Sequence, residues 1–225
     1  MMLSRMPAAV VFDMDGLLFD TEVIVREAAR AAAARLQVEM DDDVFVSLIG
    51  LSSDEGRKRL LRHYGPAFDC DGFWREVDVD FHRLLHGRTF LKPGVVELLD
   101  WLDHHGLARA IATSSQHAHV ERNLAIHDLS GRFHAVVADG DCVLGKPNPH
   151  PFLTAASRLG VAATECLALE DSPNGVRAAS AAGMMTIMVP DLIQPTDDIR
   201  GRCIRVADDL HQVRELLSAV AAPAR

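Results

Sequence analysis

The chain has 225 residues, of which 48% are hydrophobic and 24% are charged, and its formal net charge is −9 at pH 7. This length suits one large domain or a core with a small accessory domain, and no stretch is apolar enough to predict a membrane-spanning helix. The negative charge argues against non-specific binding to nucleic acid, which needs a basic surface. We therefore expect neither a nucleic-acid partner nor a membrane partner, whereas a small anionic ligand still fits a locally positive pocket.

The cysteines and the first residues predict a cytoplasmic protein. Four cysteines are scattered without a C-x-x-C pair, which is typical of reduced thiols and not of a disulfide framework or a zinc site. The first ten residues lack the long apolar region of a secretory signal, and Met2 or Met6 could equally be the true start. The oligomeric state does not follow from the sequence.

The first predicted element is a buried strand that ends in carboxylates. Residues 8–12 form a continuous apolar run, which predicts a strand buried on both faces. Asp13, Asp15 and Gly16 follow it, and Gly16 permits a turn that a side chain would hinder. Two carboxylates this close repel each other, and a divalent cation or a shared proton usually offsets the repulsion. An Asx-type turn that caps a helix is the alternative for this motif on its own.

The next seventy residues predict helices and no strand. The first of these helices is rich in alanine and arginine and contains no glycine or proline. The predicted helices cover residues 22–36, 41–48, 54–64 and 71–86, with a loop at residues 50–53. We therefore expect an all-helical segment at about residues 21–90.

After a Pro-Gly pair at residues 93–94, strands alternate with helices. This alternation predicts βαβ units and a mainly parallel sheet covered by helices on both faces. The expected fold class is α/β, with a doubly wound, Rossmann-like core of residues 1–20 and 91–225 and the helical segment of residues 21–90 inserted after the first strand. The later strands are predicted at residues 108–112, 135–138, 166–169, 184–189 and 204–206, and the later helices at 95–105, 116–126, 151–159, 172–182 and 209–221.

Polar side chains follow several of these strands, at their carboxyl ends. Because open α/β sheets bind ligands at that edge, we expect the side chains to lie close together. Each cluster has a simpler explanation by itself, as a helix cap, a first-turn acid or a surface lysine, but chance would have to place all of them at one edge. The clusters are Asp13 and Asp15, the run Thr113, Ser114 and Ser115, Lys146 in its Pro-rich loop, and Glu170 with Asp171.

These residue types predict a site for phosphoryl transfer. The carboxylates of Asp13, Glu170 and Asp171 suit Mg²⁺, a hard cation that prefers oxygen ligands and phosphate. Hydroxyls and free amides after Thr113 suit a phosphate oxygen, and Lys146 adds positive charge. In phosphoryl transfer, positioning and charge neutralisation carry most of the catalysis.

Four motifs follow one another along the chain: D-x-D-G-x-L at residues 13–18, Thr-Ser at 113–114, G-K-P-x-P at 145–149 and E-D-S-x-x-G at 170–175. In this order they resemble the motifs of the haloacid dehalogenase superfamily, in the subfamily of β-phosphoglucomutases and sugar phosphatases. The match runs over the whole chain, and the segment of residues 21–90 is similar to the small mobile cap of that family.

The resemblance implies the roles of these residues. Asp13 would be the nucleophile, and Asp15 would protonate the leaving oxygen and then activate water, so we expect a raised pKa for Asp15 when the cap closes. Thr113 and Lys146 would be catalytic residues that also bind the phosphoryl group, together with Gly16 and Ser114. The Mg²⁺ ligands would be Asp13, Asp15 through its backbone carbonyl, Glu170 and Asp171.

Departures from the family pattern favour a phosphatase of small phosphorylated metabolites, with sugar phosphates as the first class. Dehalogenases of the family lack the second aspartate, and phosphonate-cleaving members replace it with a small residue and add a Schiff-base lysine. This chain has Asp15, and Lys58 is the sole lysine of its helical segment, so both chemistries are disfavoured. β-Phosphoglucomutases carry a histidine where this chain has Val25, and basic residues where it has Ile49 and Ser53. A phosphomutase stays as the alternative enzyme, and a phospho-accepting signalling or binding module as the alternative of another class, although such modules have no cap.

Overall fold

A computed structural model of the protein describes residues 3, 5–49, 51, 53–85 and 90–221. Its six strands form one parallel sheet in the order β3-β2-β1-β4-β5-β6, which confirms the predicted doubly wound α/β fold. The strands are β1 Ala9–Phe12, β2 Ala108–Ala112, β3 Ala135–Val137, β4 Cys166–Glu170, β5 Met185–Met188 and β6 Arg205–Val206. Because the strand order reverses between β1 and β4, their carboxyl ends flank the crevice where such sheets bind ligands.

Strand β1 is buried on both faces, which explains its continuous apolar sequence. Val10 and Phe12 belong to one hydrophobic core, and Ala9 and Val11 belong to the other. The first face is covered by α5 Val95–His104, α6 His117–Ile126 and α10 Leu210–Ala221, and the second by α7 His150–Leu159 and α8 Pro173–Ala181.

The register of the sheet brings the polar strand ends to one level. Phe12 pairs with Ile111 of β2 and with Leu169 of β4. The next residue of β1, Asp13, donates its backbone N–H to the carbonyl of Leu169 at 2.9 Å. The residues that follow β1, β2 and β4 therefore lie side by side at one edge.

Four helices follow β1 before the chain returns to the sheet, and we call them the helical segment. They are α1 Glu22–Arg35, α2 Asp42–Val46, α3 Ser53–Tyr64 and α4 Cys70–Leu85. The described residues of this segment contain no strand, as predicted. Buried alanines at 28, 29, 32 and 33 form one face of α1, where their small side chains allow close packing against α4. The predicted loop positions Gly50 and Ser52, and His86 at the end of the fourth predicted helix, lie outside the described residues.

Helix α9, Asp197–Arg202, is not predicted by the sequence pattern. The hydroxyl of Thr196 accepts from the N–H of Ile199, and two aspartates occupy the first turn, so a capping signal is present. The helix buries only Ile199 and has six residues, too few for an apolar period to appear. Other predicted boundaries lie within one or two residues of those observed. No helix in the described ranges combines the length and the apolar character needed to cross a membrane.

Asp141 holds the loop that follows β3. Its carboxylate accepts from the backbone N–H of Ala138 at 3.1 Å, lies 3.0 Å from Nε2 of His117 on α6, and accepts from Nη1 of Arg158 on α7 at 2.9 Å. Burial opposes the charge of Asp141, but the bonds from His117, Arg158 and Ala138 outweigh it and lower its pKa to about 2. The loop is thereby tied to two helices.

The lowered pKa of Asp141 predicts a pH-dependent contribution to stability. The stabilisation is fully present above the unfolded pKa of 3.8 and is lost as the pH falls through about 2. We expect Asp141→Asn to lower the free energy of unfolding by about 1–2 kcal/mol near neutral pH, and the difference to vanish at about pH 2. Urea unfolding over a pH series measures it, with the exposed Glu215→Gln as control. A difference that stays constant with pH would contradict an ionic origin.

Candidate active site

Asp13 and Lys146 form a buried ion pair at the centre of the strand ends. The same ammonium lies 2.5 Å from Oε1 of Glu170, so that one lysine serves two carboxylates. Burial raises the pKa of Asp13 to about 8, against the opposing effect of Lys146 and with a further increase from Glu170. Burial lowers the pKa of Lys146, but the charges of Asp13 and Glu170 outweigh it and raise the pKa above its usual range. Lys146 is therefore a fixed positive charge.

Glu170 is fully buried at the end of β4, and the turn after it supplies its other partners. Its Oε2 accepts from the backbone N–H of Asp171 at 3.1 Å and from that of Ser172 at 3.2 Å, and the Ser172 hydroxyl lies 3.1 Å away. A Cβ built on Gly175 would overlap the Glu170 carboxylate. The spacing E-D-S-x-x-G is therefore a packing requirement, because glycine leaves the space that the carboxylate fills.

Asp13, Glu170 and Asp171 form a buried acidic group. One carboxylate oxygen from each lies within 4.8 Å of those from the other two. Lys146 contacts the carboxylates of Asp13 and Glu170 with one positive charge, and burial raises the pKa of Asp13. A divalent cation would relieve this conflict, and a donor set made only of oxygen atoms fits Mg²⁺.

Gly16 lies in the turn after β1 with a left-handed backbone, at φ +87°. A Cβ at this position would overlap the carboxylate of Asp171, so the turn approaches Asp171 only as glycine. The N–H of Gly16 donates to the carbonyl of Phe19 at 2.8 Å. Gly16 therefore contributes space to the site, and its N–H is already bonded within the turn.

The side chain of Asp15 is held by three groups. It accepts from the hydroxyl of Thr21 at 2.8 Å and from that of Ser115 at 2.7 Å, and Nε2 of His119 lies 3.4 Å away. Burial raises the pKa of Asp15, but the hydrogen bonds from His119, Ser115 and Thr21 lower it below its usual value. The direction is opposite to the raised pKa expected when the cap closes, because these donors favour the ionised carboxylate in this structure.

His119, in the first turn of α6, is a site residue that the sequence motifs do not predict. Nη2 of Arg122 lies 3.3 Å from its Nδ1, and since a guanidinium only donates, Nδ1 accepts and Nε2 carries the hydrogen that faces Asp15. Nδ2 of Asn123 lies 3.0 Å from Nε2, and an amide turned so that its oxygen faces the ring would accept from the same N–H. The His119 ring also lies 5.6 Å from the ring of Phe81 on α4. A histidine five residues after the Thr-Ser motif is the sequence signal that could have identified it.

Thr113 and Ser114 lie where β2 ends, beside the loop that carries Lys146. The Thr113 hydroxyl accepts from the N–H of Ser115 at 3.1 Å and keeps its own hydrogen to donate. Thr113, Ser114 and Gly145 line a small cavity of about 20 Å³. Thr113 and Ser114 therefore share a cavity with the loop that carries Lys146.

A larger cleft of about 530 Å³ opens from this cavity between α3 and the sheet edge. The two spaces share Asp139, Gly140, Cys142 and Gly145 as lining residues. The Ser53 hydroxyl at the start of α3 donates to Oδ2 of Asp139 at 2.7 Å, which joins the helical segment to the loop after β3. A ligand at Thr113 and Ser114 would extend into this cleft.

Comparison with known proteins identifies relatives over most of the chain. The sequence pattern of the haloacid dehalogenase-like hydrolases matches residues 10–189. A probable pseudouridine-5′-phosphatase from Drosophila melanogaster is 35% identical over 187 residues, which cover 80% of each chain. A β-phosphoglucomutase from Bacillus subtilis is 32% identical over 189 residues, which cover 80% of this chain and 82% of that one.

A solved structure shows the same fold. It is a crystal structure of a mutant of the protein CbbY from Rhodobacter sphaeroides in complex with xylulose-(1,5)bisphosphate. It superposes with a TM-score of 0.79 at 27% identity and covers 91% of this chain and 95% of that chain.

Gly175→Ala tests whether Glu170 needs the space left by glycine. Because the new methyl group would displace a buried, paired carboxylate, we expect the free energy of unfolding to fall by about 2–3 kcal/mol. Urea unfolding measures this. The matched control is Gly201→Ala in α9, where a Cβ meets no described atom within 4 Å and the change should be neutral or stabilising by about 0.5–1 kcal/mol. Equal stability of the two variants would show that the Glu170 pocket tolerates a side chain.

Proposed function

Because the chain belongs to the haloacid dehalogenase-like hydrolase family, we propose that it is a Mg²⁺-dependent phosphatase of small phosphorylated metabolites, with sugar phosphates as the first substrate class. The observation that carries the proposal is the buried group in which Lys146 lies between Asp13 and Glu170, beside Asp171. This group offers oxygen ligands to a hard divalent cation and a fixed positive charge to a phosphoryl group.

We assign the covalent steps to Asp13 and Asp15. The ionised Asp13 carboxylate attacks phosphorus, the ester P–O bond breaks, and the leaving oxygen takes the proton of a protonated Asp15. This step requires the pKa of Asp15 to rise from its lowered value in this structure when substrate binds. Water then attacks the aspartyl-phosphate and gives its proton to Asp15, which releases inorganic phosphate and restores both carboxyls. Bound Mg²⁺ would supply positive charge against the phosphoryl oxygens and would be held by Asp13, the Asp15 carbonyl, Glu170 and Asp171.

Binding of the phosphoryl group is assigned to Thr113, Ser114 and Lys146. The Thr113 hydroxyl has its hydrogen available, and the two residues line the cavity beneath the cleft. Gly16 is assigned a supporting role, because its missing side chain lets Asp171 approach. We further propose that residues 21–90 form a cap over a core of residues 1–20 and 91–225, and that the protein is cytoplasmic, in line with its four free cysteines.

Phosphate release from a panel of phosphorylated sugars and other metabolites, with and without Mg²⁺, tests the proposed function. We expect Mg²⁺-dependent turnover that falls by at least about 1,000-fold in Asp13→Asn, because the amide is a poor nucleophile. The control is Asp128→Asn, an exposed change at the far end of α6 that keeps a residue tolerant of positive φ. Absence of release together with conversion of β-glucose 1-phosphate into glucose 6-phosphate would instead establish the phosphomutase.

His119 is assigned as a positioning residue that orients Asp15 through its Nε2 hydrogen. We expect His119→Leu to lower kcat by about 10-fold with little change in KM, because the substrate-binding groups stay in place. His119→Gln, which keeps an N–H donor, should recover part of the loss. Steady-state kinetics of both variants measure the changes in kcat and in KM separately. Equal losses in the two variants would point to packing against Phe81 and not to the hydrogen bond.

A further inference from the structure

The cleft above the phosphoryl-binding residues carries negative charge. Asp54 of α3 and Asp139 of the loop after β3 both line it. Among the residues that the structure describes, no lysine or arginine lines this cleft. His117, which also lines it, lies 3.0 Å from the carboxylate of Asp141. A group that enters the cleft therefore meets two carboxylates and no fixed cation.

The helical segment does not supply a cation to the cleft from its neighbouring positions. The sequence contains no lysine or arginine from residue 36 to residue 56, a range that includes the start of α3. The next two cations along the chain are paired, Arg57 with Asp71 and Lys58 with Glu55. Neither Arg57 nor Lys58 lines the cleft.

We assign the cleft to the leaving group of the substrate because it adjoins the small cavity at Thr113 and Ser114. It shares four lining residues with the small cavity at Thr113 and Ser114, where we place the phosphoryl group. Its volume of about 530 Å³ lies within the range of small-molecule pockets. Ser53, Gln116 and the carboxylate oxygens offer hydrogen-bond partners for hydroxyl groups.

Building on the proposed phosphatase function, we propose that the substrate is a monophosphate whose leaving group is hydroxyl-rich and carries no negative charge. A second phosphate or a carboxylate in the cleft would lie against Asp54 and Asp139, and like charges repel. The family fold itself does not forbid a second phosphate, because the similar CbbY structure holds a bisphosphate. The discrimination comes from the cleft walls of this chain.

Matched substrate pairs test this inference through kcat/KM for phosphate release in the presence of Mg²⁺. Glycerol 3-phosphate is compared with 3-phosphoglycerate, and glucose 6-phosphate with glucose 1,6-bisphosphate, so that each pair differs by one anionic group. We expect the uncharged leaving group to be favoured by about 100-fold in each pair. A ratio below about 10, or a preference for the anionic member, would overturn the inference.

Three variants test whether the preference for an uncharged leaving group arises from Asp139 and Asp54. Asp139→Asn should reduce the ratio to about 10-fold, and the exposed Asp54→Asn should act in the same direction. Asp128→Asn removes the same charge outside the cleft and should leave the ratio unchanged. A ratio that shifts equally in all three variants would contradict a local effect, and thermal unfolding shows whether each variant is folded.

The experiment distinguishes failure of the proposed phosphatase function from failure of the leaving-group assignment. No phosphate release from any compound, p-nitrophenyl phosphate included, would overturn the proposed function and this inference with it. Release with equal kcat/KM for the two members of each pair would leave the phosphatase in place and overturn only the assignment of the leaving group.

Discussion

The ammonium of Lys146, buried between Asp13 and Glu170, is the interaction on which the rest of the site depends. A buried charge is costly unless it is paired, and removing one partner leaves the other uncompensated. The pair ties the loop after β3 to the ends of β1 and β4, three parts of the chain separated by more than twenty residues each. It also explains the turn around Glu170, where backbone N–H groups and Ser172 satisfy the second carboxylate oxygen.

Much of this arrangement could be predicted because the relevant signals are local. A strand buried on both faces reads as a continuous apolar run, and β1 and β4 both have that pattern. Polar residues directly after such runs fall at one edge of a parallel sheet, so Asp13, Thr113 and Glu170 could be grouped before any coordinates were known. The scarce lysine of the Pro-rich loop added the expected charge.

The remaining features depend on contacts between distant residues. His119 reaches Asp15 across 104 positions and Ser53 reaches Asp139 across 86, and neither pairing leaves a periodic or compositional trace. The direction of the Asp15 pKa could not be predicted for the same reason, because burial and three donors act in opposite directions and only their geometry decides the result. Helix α9 is too short for an apolar period, although its capping threonine was visible.

The charge balance of the site has a consequence for how it recognises phosphate. Above the raised pKa of Asp13, the carboxylates of Asp13, Glu170 and Asp171 and the ammonium of Lys146 sum to a net charge of two negative, which repels a phosphate dianion. A divalent cation would bring that charge to zero. We therefore infer that the affinity of the site for phosphate depends on whether a metal ion is bound to the acidic group. The carboxylates of Asp54 and Asp139 line the cleft above and are not part of the acidic group. A phosphoryl group can therefore bind beside the metal-loaded acidic group, while Asp54 and Asp139 in the cleft still disfavour a second anion.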